Sequence, residues 1–326
     1  MGNRYSFGLA EYLMTEITGI PLSQMHFDAK AIVKGYESLK PLAERLGIAP
    51  PVPRMLGFTY PHIASLGAEM IFSGEEPTPV PMIKAPEDID NLREPEDYLK
   101  APLIQKKLSV WKELKSLCPE TPNFIGHLYE GPITTAVLLM GEKFLTLPYD
   151  DPKMAHKLLS FCTESALHYA EAIKNYFGEK IEPGPVGIPD DFAGMFTPAI
   201  FEEFVVPYWE RLYQGMKATE RYLHSELLRK EHLHFLKVLD IKTFDPSADQ
   251  YLTPEILTDY CPCDFEFRIK SWEIDNLSPE ELVEHYKKIQ HYHPASVNFS
   301  MSFLRQEEKI KKLLKVAREM EGKDEK

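Results

Sequence analysis

Between Leu223 and His234 the chain reads "LHSELLRKEHLH", three histidines and two glutamates in twelve residues. Side chains of these types at this density suit either a bound metal ion or acid–base work at a substrate pocket. The stretch divides by its periodicity. "RYLHSEL" reads as a strand, on which His224 and Glu226, two apart, point the same way and can reach one ion. Imidazole and carboxylate are competent zinc ligands, and a catalytic zinc needs three protein ligands with a fourth position open. The third ligand is left open among Glu130, Asp190, Asp191 and Asp245. Without a metal, the same His and Glu would hydrogen-bond each other in a pocket wall. "RKEHLHFLKVLD" reads as a helix, where residues two apart do not share a face, so His232 and His234 are expected at the surface.

Other chemistry-bearing residues follow strand-like runs. Asp190 and Asp191 come after the Gly/Pro-interrupted "GPVGIP" and could orient a substrate or act as acid and base, or one of them caps the next helix. Arg268 and Lys270 alternate with Phe265, Phe267 and Ile269, which predicts a basic pair on one side of a strand, fit for a carboxylated substrate or for pairing with the acids. Glu11, His127, Glu130, Asp245, Asn298, Ser300 and Ser302 occupy similar positions. Cys261 and Cys263, in "DYCPCDFEF", precede their strand and read as structural; Cys118 and Cys162 fall in helical segments.

These residues need a frame. Strand-length apolar runs alternate with amphipathic helices from "RYSFGLAEYL" to "ASVNFSMSF", and that alternation predicts a parallel sheet with crossover helices. "APPVPRMLGF", "NFIGHLYEGP", "GPVGIPDDFAG", "RYLHSEL", "IKTFDPS" and "DFEFRIKS" lie between those two, making about eight strand candidates in the order of a single (β/α)8 TIM barrel over residues 1–326. The Pro- and acid-rich stretch near 66–100 is expected to be an excursion of hairpin and loop. In such barrels chemistry sits at the C-terminal ends of the strands, which is where the polar residues above fall.

A formal net charge of -13 disfavours general nucleic-acid binding, which requires a surplus of Lys and Arg on some face. No apolar run reaches the roughly eighteen residues of a membrane span. Four cysteines and no apolar leader point to a reducing, cytoplasmic location, with a homodimer open. "MGNRYS" satisfies a loose N-myristoylation pattern, outweighed by the strand-like Tyr5–Leu9 that follows.

"HLYEGPITTAVLLMGEKFLTLPYDDPKMAHKLL" followed by "IPDDFAGMFTPAIFEEFVVPYWERLY" resembles the uroporphyrinogen decarboxylase superfamily in the order and spacing of three coupled elements. "SLGAEM" followed by "IKAPEDIDNL" extends the resemblance over nearly the whole chain. It implies a single (β/α)8 barrel. True uroporphyrinogen decarboxylases carry a basic "RQAGR"-like segment after the first strand to hold substrate carboxylates. Here "FGLAEYLMTE" is acidic, which would repel a polyanionic porphyrinogen.

The other branch of the superfamily moves methyl groups between small molecules and a corrinoid protein, with zinc. Its coenzyme M members have His-x-Cys where this chain has His224, Ser225 and Glu226, and a further Cys where this chain has Ser300 and Ser302. Members that demethylate methoxylated aromatics through Glu and His ligands are the nearer likeness. The resemblance therefore implies a zinc-assisted methyltransferase working with a corrinoid (cobalamin-binding) partner and a small methyl donor or acceptor. Zinc would rest on His224 and Glu226. Asp190, Asp191 and Glu130 would be catalytic, and Arg268, Lys270 and Asn298 would bind substrate. The alternatives are decarboxylation of the uroporphyrinogen type and a non-catalytic barrel that serves as a binding partner.

Overall fold

The computed structural model describes residues 4–57, 60–72, 77–126 and 128–324. His127 and the first three residues of the N-terminal "MGNRYS" lie outside the described residues. The strands are β1 (Tyr5–Leu9), β2 (Met70–Ile71), β3 (Thr78–Pro79), β4 (Gly184–Pro189), β5 (Ala218–His224), β6 (Ile241–Asp245), β7 (Asp264–Arg268) and β8 (Ser296–Met301). Six of them form one parallel sheet in the order β1-β8-β7-β6-β5-β4, with helices in the connections. The fold is α/β. β2 and β3 pair antiparallel as a separate hairpin inside the Pro- and acid-rich stretch.

Alternation assigns the two faces of the sheet. Leu223, Phe244, Phe265, Phe267, Val297, Phe299 and Met301 are buried against the helices. Their strand neighbours Tyr222, His224, Thr243, Asp245, Glu266, Arg268 and Asn298 take the opposite face. The helices carry ordinary stop and start chemistry. Asp28 accepts N–H bonds from Lys30 (2.9 Å) and Ala31 (3.1 Å) to start helix Ala29–Leu46, and Gly47, at φ +63°, ends it.

Two of the eight expected strands, within "APPVPRMLGF" and "NFIGHLYEGP", are not strands among the described residues. Both pass through the core, since Met55, Leu56 and Ile125 are buried. Prolines 50, 51 and 53 remove ladder donors from the first. Side chains also take carbonyls that a neighbouring strand would use: Thr121 Oγ1 donates to Pro53 O (3.0 Å) and Lys107 Nζ to Leu56 O (3.3 Å). In the second, Gly126 at φ +112° leaves the extended region.

Two helix expectations also change. "TPAIFEEFVVPYWERLYQGMKA" breaks at Val205 into helices Pro198–Phe204 and Val206–Gly215. "RKEHLHFLKVLD" is a 3-10 turn, Lys230–His232, followed by the short helix His234–Val238. His232 is buried rather than at the surface: its ring nitrogens meet Phe196 O (2.9 Å) and Arg229 N–H (2.9 Å), whereas His234 is exposed. Among the described residues no helix is long and apolar enough to cross a membrane.

Candidate functional site

Register sets the site. β5 ends at His224, which lies opposite Pro189 of β4 and Asp245 of β6. The ladder continues one step beyond the strands: Asp190 N–H reaches His224 O (2.9 Å) and Ser225 N–H reaches Asp245 O (3.2 Å). The ends of β4, β5, β6 and β7 thus stand side by side around a cavity of about 500 Å³. Glu130, Asp191, Tyr222, His224, Thr243, Asp245, Glu266 and Arg268 line it, with Gly187 and Pro189. The C-terminal strand ends are where this class of sheet carries chemistry.

At its centre His224 Nδ1 lies 2.8 Å from Asp245 Oδ2, and Arg268 Nη2 donates to the same oxygen at 3.1 Å. An ionised carboxylate only accepts, so Nδ1 carries a hydrogen and Nε2 is the nitrogen left for the cavity. Nε2 is 3.5 Å from Asp191 Oδ1, and that oxygen is buried with no hydrogen-bond partner among the described residues. Burial pulls the imidazole pKa down, but the hydrogen bond and charge of Asp245, with the charge of Asp191, outweigh it and the value rises. Burial raises Asp245, yet the bond and charge of His224 and the charge of Arg268 leave it low. Asp191 is pushed up to about 6, by burial first and also by the charges of Glu130 and Glu226, against the opposing charge of His224. The result is a fixed imidazole between two carboxyl groups whose environments push their pKa values apart.

Asp190 goes elsewhere. It is fully buried and accepts from Ile133 N (3.1 Å), Thr134 N (2.6 Å) and Trp209 Nε1 (2.6 Å). It caps the preceding helix Pro132–Met140 from outside, not the following one, and burial pushes its pKa up to about 7 despite these donors. Its oxygens are consumed, so it does not face the cavity as a catalytic group. The fit is close: a Cβ on Gly131 would lie 2.4 Å from Asp190 Cγ.

Two of the expected substrate ligands are also displaced. β7 ends at Arg268, so the strand alternation does not extend to Lys270, which starts helix Ser271–Asn276 and lines a separate cavity with Glu273 and His285. Asn298 shares the inner face but donates to Glu266 Oε2 (2.6 Å) and does not line the cavity. Glu266 was legible from the same alternation that singled out Arg268; no residue-type signal marked Thr243 or Tyr222.

Zinc was expected on His224 and Glu226. β5 stops at His224, so Glu226 sits in the turn beyond the strand, outside the cavity lining, and strand alternation does not aim it. Among the described residues no group of three or more His, Cys, Asp or Glu side chains stands together as metal ligands. The Arg268 guanidinium already places a fixed cation beside the imidazole. Among the described residues the cavity thus offers one imidazole and no assembled three-ligand set.

The sequence model of the uroporphyrinogen decarboxylase (URO-D) family matches residues 60–249, more than half of the chain. The chain belongs to that family. Similar curated proteins include the uroporphyrinogen decarboxylase of Prochlorococcus marinus (strain MIT 9303), 27% identical over 37% of this chain and 41% of that one. The uroporphyrinogen decarboxylase of Nostoc sp. is 27% identical over 48% of this chain and 45% of its own. The chain thus spans less than half the length of these relatives. Among solved structures, a methyltransferase from Methanosarcina mazei superposes with TM-score 0.70, covering 98% of this chain and 94% of that one at 15% identity, which is a likeness of fold.

Proposed function

We propose that this chain moves a methyl group between a small molecule and the corrinoid of a partner protein. The observation that carries the reading is the charge of the cavity. Among the described residues, Glu130, Asp191, Asp245 and Glu266 stand against one guanidinium, Arg268, and one imidazole, His224. A polycarboxylated porphyrinogen would meet repulsion where it needs cations, so decarboxylation, the activity named for the curated relatives, is the second reading.

A corrinoid presented by a partner would supply the nucleophile for the methyl group. The chain's own part concerns the donor. His224, held through Nδ1 by Asp245 and with its pKa raised, keeps Nε2–H available to a leaving oxygen, and Asp191 beside it can carry the same proton. Gly187, Pro189 and Tyr222 give the donor's carbon frame a wall. No step here runs through zinc. An ion on His224 and Glu226 stays a separate proposal, for elemental analysis of wild type and the His224→Ala, Glu226→Ala double variant to decide. The same reading includes a single closed (β/α)8 barrel, of which the six-stranded parallel sheet is the described part.

The test is to offer the protein reduced cobalamin and a panel of methyl ethers, alcohols and amines, following methylcobalamin by its absorbance. Wild type is expected to turn over at least one donor, and His224→Ala to lose roughly 100-fold or more. Silence across the panel, together with release of carbon dioxide from a carboxylated substrate, would replace this reading with decarboxylation.

A further inference from the structure

The sulfurs of Cys261 and Cys263 lie 3.6 Å apart in the loop between helix Pro254–Tyr260 and β7. Both residues are partly exposed. Cys162 is fully buried with its thiol pushed well up by burial, and Cys118 is also pushed up, by burial first and then by Glu120. The close pair is therefore distinct in place and in exposure from the buried thiol. Pro262 holds the two cysteines on either side of a single residue, and Cys261 N–H is fixed to Leu257 O (2.9 Å) at the end of the helix.

We propose that Cys261 and Cys263 form a reversible dithiol/disulfide site that reacts with small-molecule disulfides of the glutathione type. The sulfurs are already in van der Waals contact, and the bond needs them to close to about 2.05 Å. The hydrogen bond they share lowers the pKa of Cys261 and raises that of Cys263, so Cys261 is the attacking sulfur.

The Cys261 thiolate attacks one sulfur of the small disulfide, forming a mixed disulfide and expelling one thiolate, which takes up a proton. Cys263 then loses its proton and attacks the Cys261 sulfur, expelling the second thiolate. The pair gives up two electrons and two protons, and the small disulfide becomes two thiols. The site lies at the start of β7, whose other end carries Arg268 into the candidate site, so a ring closed there fixes the near end of that strand.

The test is incubation of the purified full chain with a range of oxidised to reduced glutathione, followed by thiol counting and peptide mass analysis. Loss of two of the four thiols is expected, with a Cys261–Cys263 peptide two hydrogens lighter, no retained glutathione, and full reversal by dithiothreitol. Cys263→Ser should trap glutathione on Cys261, and Cys261→Ser should react markedly more slowly. Four free thiols under excess oxidised glutathione, or stable glutathione adducts on both wild-type cysteines, would overturn the proposal.

Discussion

Asp190 and Asp191 are consecutive, yet Asp190 sits among core donors while Asp191 faces the cavity. Asp190 is surrounded by N–H groups of a helix end and an indole, and nothing of it is left over. Asp191 has one oxygen opposite His224 at 3.5 Å without a hydrogen-bond partner among the described residues, and its side chain reaches solvent. A buried, perturbed acid is therefore not by itself one that faces the cavity. Both carboxyl groups are raised by burial, to about 7 and about 6, but only Asp191 has capacity free for another molecule.

The sharpest way to break this contrast is Asp190→Ala, which leaves three buried donors unpaired. It is expected to cost about 3 kcal/mol or more in chemical denaturation, whereas Asp191→Ala should not destabilise the protein at neutral pH, where burial disfavours the ionised carboxyl group. Equal losses would end the distinction. Gly131→Ala attacks the same region by crowding, with its Cβ 2.4 Å from Asp190 Cγ, and should cost about 1–3 kcal/mol.

Lys107 extends the comparison to an amine. It is fully buried with its ammonium 3.3 Å from Leu56 O, and burial, partly opposed by the charge of Glu11, pushes its pKa down to about 7. The unfolded chain binds this proton more tightly, so stability should rise as pH climbs from about 7 toward the usual lysine value. Lys107→Met should be more stable than wild type by about 1 kcal/mol, most clearly at or below pH 7.

The smallest effect concerns Asp191. Its folded pKa lies above the usual carboxylate value, so its contribution is fully present below about pH 4 and is lost as pH rises through about 6. The difference in stability between wild type and Asp191→Asn should change across that window and be flat above it. In the activity profile, Asp245→Asn should move the alkaline limb to lower pH, because the main group holding the His224 proton is gone.

Much of the frame was readable because strand alternation is a local signal. β1, β4, β5, β6, β7 and β8 follow the apolar runs that predicted them. Residues 51–57 were harder, since prolines and side-chain contacts to carbonyls compete with the ladder, and only the fold shows those contacts; the second segment, 123–130, leaves the extended region at Gly126. Within the site, Glu130, Asp191, His224 and Arg268 converge because each follows or ends a strand-like run. Asp190 was indistinguishable from Asp191 in sequence, since its donors come from a distant helix and from Trp209. Lys270 was misplaced by extending an alternation two residues past the end of its strand. His232 was misplaced by reading one helix where a turn intervenes.

The contact between Gly131 and Asp190 bears on how this chain can change by descent. Neither position can be replaced alone without passing through a weakened protein, so the pair is locked together regardless of what the cavity does. Asp191 carries no such bond to the frame. A lineage that abandoned the chemistry would keep Gly131 and Asp190 and let Asp191 drift, so in a set of relatives the two neighbours would record different histories, one of architecture and one of use.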